Sequence, residues 1–399
     1  MFLALIMPGK LLNQQILQER LRNFNPEPLV EYESDEIKEN IETSIVNEDK
    51  NNIDLAKANY LNMLNNNDIK QASENIIRKY GVGTCGPRAF YGTTDVHLEL
   101  EEHIAKFLGL EEAIVYSYGF VAIASSIAAY CKKSDVVFIA NDSNAAILQG
   151  LVSARSRVIR FNHQDPESLK IEARKVMEGE KGGKKCRKFL VLEGVSWKSG
   201  KVCDLPLFLD IAEEFKMRVF LEESYSIGIF GKNGKGLLEH FNIEKNRVDM
   251  IMGTLENAIG SIGGFCAGTQ NTIEHQRLSG SGYIFSASLP TFLVQAVIKS
   301  IDLIEQKPEK LRVFSKKFHN FLLETNFDVS SDSDVPYKIF TLKNKYNLKE
   351  FHDFCKTKGL YFILKDDYFV LNLNLALSND DKRLNLAYKI LEDAAKLFN

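Results

Sequence analysis

The stretch Thr254–Gly263 reads TLENAIGSIG and follows the mostly apolar run Val248–Gly253. Its small residues and glycines, together with the Gly-Phe pair directly after it, predict a strand, a tight turn and a second strand. Asn257 stands inside the stretch, and no lysine occurs between Lys245 and Lys299. Because an amide has no nucleophilic amine, this region holds no side chain that can form a Schiff base with an aldehyde.

Length and composition indicate a globular protein. A chain of 399 residues, 45% of them hydrophobic, predicts a large domain with a smaller appendage. The net charge of −3 gives no electrostatic reason to expect a nucleic-acid partner. Six cysteines are scattered without a C-x-x-C pair, which favours reduced thiols in a cytosolic environment and argues against a metal site.

Two apolar stretches bear on membrane insertion. Met1–Pro8 is far shorter than the ~20 residues that a spanning helix needs, and it lacks the positive flank of a secretory signal. Ala113–Cys131 is uncharged throughout, but it contains a glycine and several serines and tyrosines. It therefore predicts a buried strand, a turn and a buried helix.

Alternating apolar runs predict strands and helices in turn along the chain, which indicates an α/β fold. Before residue 53 the sequence predicts a helix at Lys10–Asn23 and an acidic mobile loop at Ser34–Asn52. The helix Pro206–Lys216 is expected to bury Leu207, Ile211, Ala212 and Phe215. The other predicted strands are Val136–Ala140, Phe189–Glu193, Val219–Leu221, Tyr337–Leu342, Leu360–Leu364 and Phe369–Leu375, and the other helices are Phe292–Leu303 and Lys382–Phe398.

The string Tyr80–Glu101, YGVGTCGPRAFYGTTDVHLELE, is rich in glycine and predicts an extended, turn-rich loop. Thr94 or Asp95 is expected to cap the helix that follows. The helical spacing of Val96, Leu100, Ile104 and Phe107 predicts its buried face.

These strings resemble the α-oxoamine synthase family of pyridoxal-phosphate enzymes. Thr254–Gly263 agrees with the family's cofactor-lysine loop except that Glu256 replaces a small residue and Asn257 replaces the lysine. Tyr80–Glu101 closely resembles one subgroup, the non-catalytic long-chain-base subunits of serine palmitoyltransferase. The resemblance implies a fold-type-I transferase, with a mostly parallel sheet wrapped by helices and a smaller C-terminal α+β domain. It divides the chain into residues 1–52, 53–290 and 291–399.

The resemblance also assigns the residues of a cofactor pocket. Gly119 and Phe120 occupy the turn whose backbone N–H groups hold the cofactor phosphate in the family, and a buried turn without a ligand is the equally weighted alternative. Asn144 stands at the position of a stacking histidine. Glu222 replaces the aspartate that pairs with the pyridinium nitrogen, and Tyr225 replaces a histidine near the Schiff base.

Further positions are assigned to the dimer or to the substrate. Arg88, Asn144, Ser286 and Ser288 are expected to contribute to the pocket of a partner chain, the alternative being that they only cap turns. The family's carboxylate-binding arginine aligns with Val370, and no arginine lies between Arg312 and Arg383.

The resemblance therefore implies a non-catalytic subunit. Pyridoxal phosphate would be held by a lysine-bearing sister subunit, with none bound covalently by this chain. The pair would condense L-serine with palmitoyl-CoA at the cytoplasmic face of the endoplasmic reticulum membrane. Since no spanning helix is visible in the sequence, either the chain is truncated or the sister supplies the anchor. Two alternatives stay open: a scaffold or binding protein of the same fold outside sphingolipid synthesis, and an autonomous acyl-CoA transferase, which would need an amine at Asn257.

Overall fold

The structure is a computed structural model that describes residues 52–179, 186–344 and 347–398. Its strands, in chain order, are β1 (Ile53–Asp54), β2 (Glu112–Tyr116), β3 (Val136–Ala140), β4 (Arg157–Phe161), β5 (Lys188–Glu193), β6 (Arg218–Glu222), β7 (Met250–Thr254), β8 (Gly264–Gly268), β9 (Asp328–Val329), β10 (Tyr337–Thr341), β11 (Leu360–Tyr361), β12 (Ile363–Lys365) and β13 (Tyr368–Asn372).

The helices between and after these strands, in chain order, are α1 (Asn67–Tyr80), α2 (Asp95–Leu108), α3 (Gly119–Tyr130), α4 (Ala145–Ala154), α5 (Pro166–Gly179), α6 (Leu205–Glu214), α7 (Leu237–His240), α8 (Gln270–Ser279), α9 (Ser281–Phe285), α10 (Thr291–Asp302), α11 (Lys307–Glu324), α12 (Leu348–Thr357), α13 (Leu375–Ser378) and α14 (Asp381–Phe398).

A seven-stranded sheet in the order β2-β8-β7-β6-β5-β3-β4 organises the larger part of the structure. Every pair between β7 and β4 is parallel, whereas β8 is antiparallel to both of its neighbours. The predicted mostly parallel α/β sheet is thus confirmed. Parallel strands are buried on both faces, which explains why β3 is a continuous apolar run.

Alternate residues of each strand enter two different cores. Val137 and Ile139 pack with α3 and α4 on one face of the sheet, and Val136 and Phe138 belong to the core on the other face, which includes α2, α6 and α10. This alternation follows from the period of two along a strand. The arrangement sets the carboxyl ends of β3, β5, β6 and β7 side by side at one edge.

A second, antiparallel sheet has the order β12-β13-β10-β9 and shares a phenylalanine-rich core with α11, α12 and α14. The two residues of β1 pair in parallel with β11. Residues 51–399 cluster as one compact unit, so the proposed division after residue 290 stays a prediction. The predicted helix Lys10–Asn23 and the predicted loop Ser34–Asn52, except for its last residue, lie outside the described residues.

Most of the predicted elements are confirmed within a few residues, with two corrections. Leu207 was expected on the buried face of α6 but is 49% exposed, because Leu205, Phe208 and Leu209 face the core instead. The predicted strand Leu360–Leu364 is two strands, β11 and β12, because the first pairs with β1 and the second with β13.

Ala113–Cys131 forms β2, a turn and α3, as predicted, and most of it is buried. No helix within the described ranges is both long enough and apolar enough to cross a membrane.

Candidate active-site cavity

The loop 255–263 joins β7 to β8, whose antiparallel pairing ends at Thr254 and Gly264. The Leu255 N–H donates to the Gly263 carbonyl at 2.9 Å and closes the loop. Gly260 and Gly263 have φ values of +74° and +121°, which glycine adopts without strain. The predicted strand, turn and strand are therefore confirmed.

Asn257 lies in this loop with its side chain held by the polypeptide itself. Its Nδ2 donates to the Ser224 carbonyl at 2.9 Å, in the segment after β6. The Tyr60 N–H in turn points at the Asn257 carbonyl at 3.4 Å. The amide side chain is thus anchored to backbone at the place where the family resemblance puts a lysine amine.

A cavity of about 550 Å³ lies at the carboxyl ends of β3, β6 and β7 and beside the start of α3. It brings together all the residues predicted for this chain's own pocket. They are Gly119, Phe120, Asn144, Glu222, Tyr225 and Asn257. None of the residues that line this cavity, all of them in the described ranges, is a lysine.

Asn144 is the N-cap of α4 and also joins two acidic side chains. Its Oδ1 accepts from the Ile147 N–H at 3.0 Å, which satisfies one of the free N–H groups of the helix start. Its Nδ2 donates to Glu193 Oε1 at 3.2 Å and to Glu222 Oε2 at 3.3 Å. The residue at the stacking-histidine position is thus engaged with protein groups on both atoms of its amide.

Burial favours the protonated forms of the glutamates in and beside the cavity. Burial raises the pKa of Glu222 to about 7, and Glu222 Oε1 accepts from the Ser224 N–H at 2.8 Å. Burial and then the neighbouring Glu222 raise the pKa of Glu193 well above its ordinary value. Burial also raises the pKa of Glu223 to about 8. Two adjacent carboxyl groups in a low-dielectric site cannot both ionise without a large cost in free energy.

Tyr225 also lines the cavity. Its ring lies 5.0 Å from the ring of Tyr337, and burial raises the pKa of its phenol to about 12. Tyr337 in turn donates its hydroxyl to the Ser196 carbonyl at 2.6 Å. Tyr225 is therefore a neutral packed side chain at the position of the family's titrating histidine.

The start of α3 keeps the geometry of an anion site. Tyr118 is the N-cap and makes no side-chain cap bond. A Cβ on Gly119 would lie 2.5 Å from Thr254 Cβ, and a Cβ on Gly264 would lie 2.6 Å from Gly119 Cα. The two glycines thus let the β7–β8 hairpin pack directly against the helix N-terminus, where backbone N–H groups can hold a phosphate.

These residues fit only part of a pyridoxal-phosphate group. The helix start suits the phosphate, but no lysine reaches the aldehyde position, and the acid at the ring end is already bonded to Ser224 and Asn144. The cavity of this chain therefore does not fit covalently held pyridoxal phosphate.

Arg88, Ser286 and Ser288 do not line the cavity. Arg88 is 5% exposed and forms an ion pair from Nη1 to Glu101 Oε1 at 2.8 Å. Ser288 Oγ donates to the Gly86 carbonyl at 3.0 Å, and Ser286 Oγ donates to the Gly282 carbonyl. Their contribution to a partner's pocket stays a prediction.

Glu193, which accepts from the Asn144 amide beside the cavity, is the main residue near the site that the sequence prediction missed. It ends β5 as Glu222 ends β6, and the two residues are register partners in the parallel pair. Two glutamates that end successive predicted strands were the available signal, since the carboxyl ends of neighbouring parallel strands lie at one edge of a sheet.

The sheet, its helices on both faces and the cavity at the strand ends define the fold of pyridoxal-phosphate-dependent transferases. The model of the family described as aminotransferase class I and II matches residues 50–334, and the chain belongs to this family.

Among curated proteins, the chain is similar to serine palmitoyltransferase 1 of Dictyostelium discoideum, with 42% identity covering 69% of this chain and 58% of that protein. It is 39% identical to long chain base biosynthesis protein 1b of Oryza sativa subsp. japonica, covering 76% of this chain and 65% of the relative. The chain thus spans about three fifths of the length of these relatives.

Solved structures give the same picture. A high-resolution structure of SPT with a PLP internal aldimine superposes with a TM-score of 0.81 at 26% identity, covering 87% of this chain and 88% of the other. Sphingomonas wittichii serine palmitoyltransferase superposes with a TM-score of 0.80 at 25% identity, with the same coverage of both chains.

Proposed function

We propose that this chain is the non-catalytic subunit of a serine palmitoyltransferase, which condenses L-serine with palmitoyl-CoA to 3-ketodihydrosphingosine in sphingolipid biosynthesis. The observation that carries the proposal is Asn257 at the lysine position, with its amide bonded to the Ser224 carbonyl at the edge of the cavity. The relatives named serine palmitoyltransferase 1 and long chain base biosynthesis protein 1 support the subgroup.

The proposal assigns pyridoxal phosphate to a lysine-bearing sister subunit. In this chain the positions of the lysine, the histidines and the aspartate hold Asn257, Asn144, Tyr225 and Glu222. Three of these side chains bond to this chain's own groups, and the fourth, Tyr225, packs on Tyr337. The side chains at these positions stabilise the fold of this chain and are not available to a cofactor. The proposal therefore assigns the chemistry to the partner.

The surface beside the cavity supports a packed partner. Exposed aromatic side chains occur in three neighbouring segments: Phe90 and Tyr91, Tyr118 and Phe120, and Phe285. Ser117 Oγ donates to the Ala287 carbonyl, and Pro87 forms a bridge to Ala287, so the three segments are held together. Tyr91 is 93% exposed, which is costly for a free surface and typical of an interface. We propose that the catalytic sister packs on this aromatic surface.

The first test concerns covalent chemistry. The purified chain is mixed with pyridoxal phosphate, reduced with borohydride and digested for mass spectrometry. We expect no specific pyridoxyl-lysine, because no amine lies in the cavity. A stoichiometric pyridoxyl-lysine on this chain would refute the non-catalytic assignment.

The second test concerns the partner and its location. Affinity purification from membranes of the source organism is expected to recover a lysine-bearing chain of the same fold, at the cytoplasmic face of the endoplasmic reticulum. Serine palmitoyltransferase activity should accompany that complex. If no such chain is recovered, the result would favour the alternative, a scaffold or binding protein of the same fold outside sphingolipid synthesis.

A further inference from the structure

A second cavity of about 550 Å³ lies between the carboxyl ends of β3 and β4 and the small antiparallel sheet. Asp142, His163, Lys198 and Ser199 line it on the side of the large sheet. Ile339, Phe340 and Tyr368 form its wall on the side of the small sheet. The cavity combines an apolar wall with a cluster of titratable and nucleophilic side chains, and it contains none of the residues assigned to the cofactor pocket.

Three of these side chains form a continuous chain of contacts. Asp142 Oδ1 lies 3.1 Å from His163 Nδ1. On the other side of the ring, His163 Nε2 lies 3.1 Å from Ser199 Oγ. With the proton on Nδ1, the ring nitrogen nearer the carboxylate, Nε2 is the acceptor for the serine hydroxyl. Both distances lie within the reach of a nucleophile, its base and the group that orients the base.

Neighbouring contacts hold Asp142 and Ser199, the two outer residues of this group of three. The Trp197 Nε1–H donates to the Asp142 carbonyl at 3.1 Å, and Ser196 Oγ donates to Asp142 Oδ2 at 3.3 Å. The Ser199 N–H donates to Ser196 Oγ at 3.3 Å, and the Gly200 N–H donates to the Ser196 carbonyl at 2.9 Å. Although burial raises the pKa of Asp142, its hydrogen bond and charge interaction with His163 bring the pKa below its usual value. The carboxylate is thus ionised, as an orienting group for an imidazole must be.

We propose that Asp142, His163 and Ser199 are a hydrolytic triad that cleaves carboxylic esters with small apolar acyl groups. The geometry carries the proposal, since such triads are recognised by their contacts and occur on unrelated folds in any chain order. Ile339 and Tyr368 supply apolar surface for the acyl group among the polar residues that also line the cavity. The proposal does not depend on the proposed function, because the triad and the cofactor pocket share no residue.

The reaction needs only water as co-substrate. Ser199 Oγ attacks the ester carbonyl carbon while its proton passes to His163 Nε2. When the tetrahedral adduct collapses, the bond between the former carbonyl carbon and the alkoxy oxygen breaks, and the leaving alcohol takes the proton from His163. Water then attacks the acyl-serine, gives its proton to His163 and releases the acid, with the proton returning to Ser199.

The test uses the purified full-length chain with a fluorophosphonate probe and with p-nitrophenyl acetate. We expect the probe to label Ser199, as located by mass spectrometry. Ser199→Ala should abolish labelling and reduce kcat/KM for the ester about 100-fold or more, and His163→Gln should do the same. Ser153→Ala is the control, because Ser153 is an exposed serine on α4 outside the cavity and should leave both readouts unchanged.

The outcomes separate catalysis from structure. Circular dichroism establishes that each variant is folded before its rate is compared. A folded wild-type chain that leaves Ser199 unlabelled, or that hydrolyses the ester no faster than Ser199→Ala, overturns the proposal. Either result leaves the pyridoxyl-lysine and co-purification tests unaffected, since neither involves Ser199.

Discussion

The turn after β3 contributes to two cavities that pair their polar groups in different ways. In the first, Asn144 donates to Glu222, which lines the cavity, and to Glu193 beside it, and burial raises the pKa of both acids. In the second, two residues earlier, Asp142 contacts His163, which contacts the half-buried Ser199. The two cavities therefore use their polar groups differently. In the first, the polar side chains bond to one another and to the backbone and stabilise the fold. In the second, the contacts lead to the Ser199 hydroxyl, which we expect to contribute little to stability.

The largest effect is expected at Asn144. Asn144→Leu removes the N-cap of α4 and the donor shared by two carboxyl groups, leaving buried oxygens unpaired. We expect a loss of about 2–4 kcal/mol in the free energy of unfolding, measured by urea denaturation. Ser199→Ala in the second cavity should change it by less than about 0.5 kcal/mol. Equal effects of the two substitutions would contradict the comparison.

The next effect concerns the glycines that bring the β7–β8 hairpin against α3. A Cβ on Gly264 would lie 2.6 Å from both Ala122 Cβ and Gly119 Cα, so Gly264→Ala must push backbone apart. We expect a loss of about 1–3 kcal/mol by the same denaturation measurement. Gly83→Ala is the control, because a Cβ there has no atom within 4 Å. If Gly264→Ala were as mild as the control, the first cavity would not depend on close packing.

The third prediction uses the buried acid of the first cavity. Since the pKa of Glu222 is about 7 when folded and ~4.3 in an unfolded chain, the unfolded chain loses this proton at lower pH. The stability associated with Glu222 is therefore present below about pH 4.3 and is lost as the pH rises to about 7. Glu222→Gln should remove up to roughly 1.4 kcal/mol per pH unit of that decline.

Urea denaturation at pH 5, 6 and 7 measures this decline in wild type and variant. Glu178→Gln, at an exposed glutamate, should leave it unchanged. A wild-type and a Glu222→Gln chain with parallel pH profiles would show that Glu222 is ionised in the fold.

The smallest effect is expected where the sequence departs most visibly from the family. Asn257→Lys restores an amine, but Glu222 stays bonded to Ser224 and Asn144, and Tyr225 stays packed on Tyr337. We expect no ketone product from L-serine and palmitoyl-CoA with the variant alone, by product chromatography. Product formation from this single variant would show that the other replacements matter little.

Local sequence patterns were sufficient to predict much of the fold and part of the candidate site. Val136–Ala140 is a strand with the predicted ends, and Asn144, Glu222, Tyr225 and Asn257 line one cavity as the motif alignment predicted. Each of these positions follows a strand or lies in a loop whose type the sequence specifies. Leu207 was placed wrongly because several apolar residues in α6 are compatible with more than one buried face.

The contacts that were missed join distant segments. His163 approaches Asp142 from beyond β4, and Ser199 follows β5, so only the order of strands in the sheet brings the three together. Glu193 meets Glu222 for the same reason. No periodicity within a window of residues encodes that order, which depends on how the crossovers pack.

The pairing of β1 with β11 bears on how the chain is made. Ile53 and Asp54 find their partners at Leu360 and Tyr361, and the Arg383 guanidinium donates to the Asn52 carbonyl. A ribosome synthesises residues 53–54 some three hundred residues before β11, the strand with which they pair. At ~5–20 residues per second, the interval is roughly 15–60 s. Throughout that interval Ile53 and Leu55, which are buried in the folded protein, lack the C-terminal residues that bury them. During synthesis this segment is therefore an exposed apolar stretch of the kind that chaperones recognise.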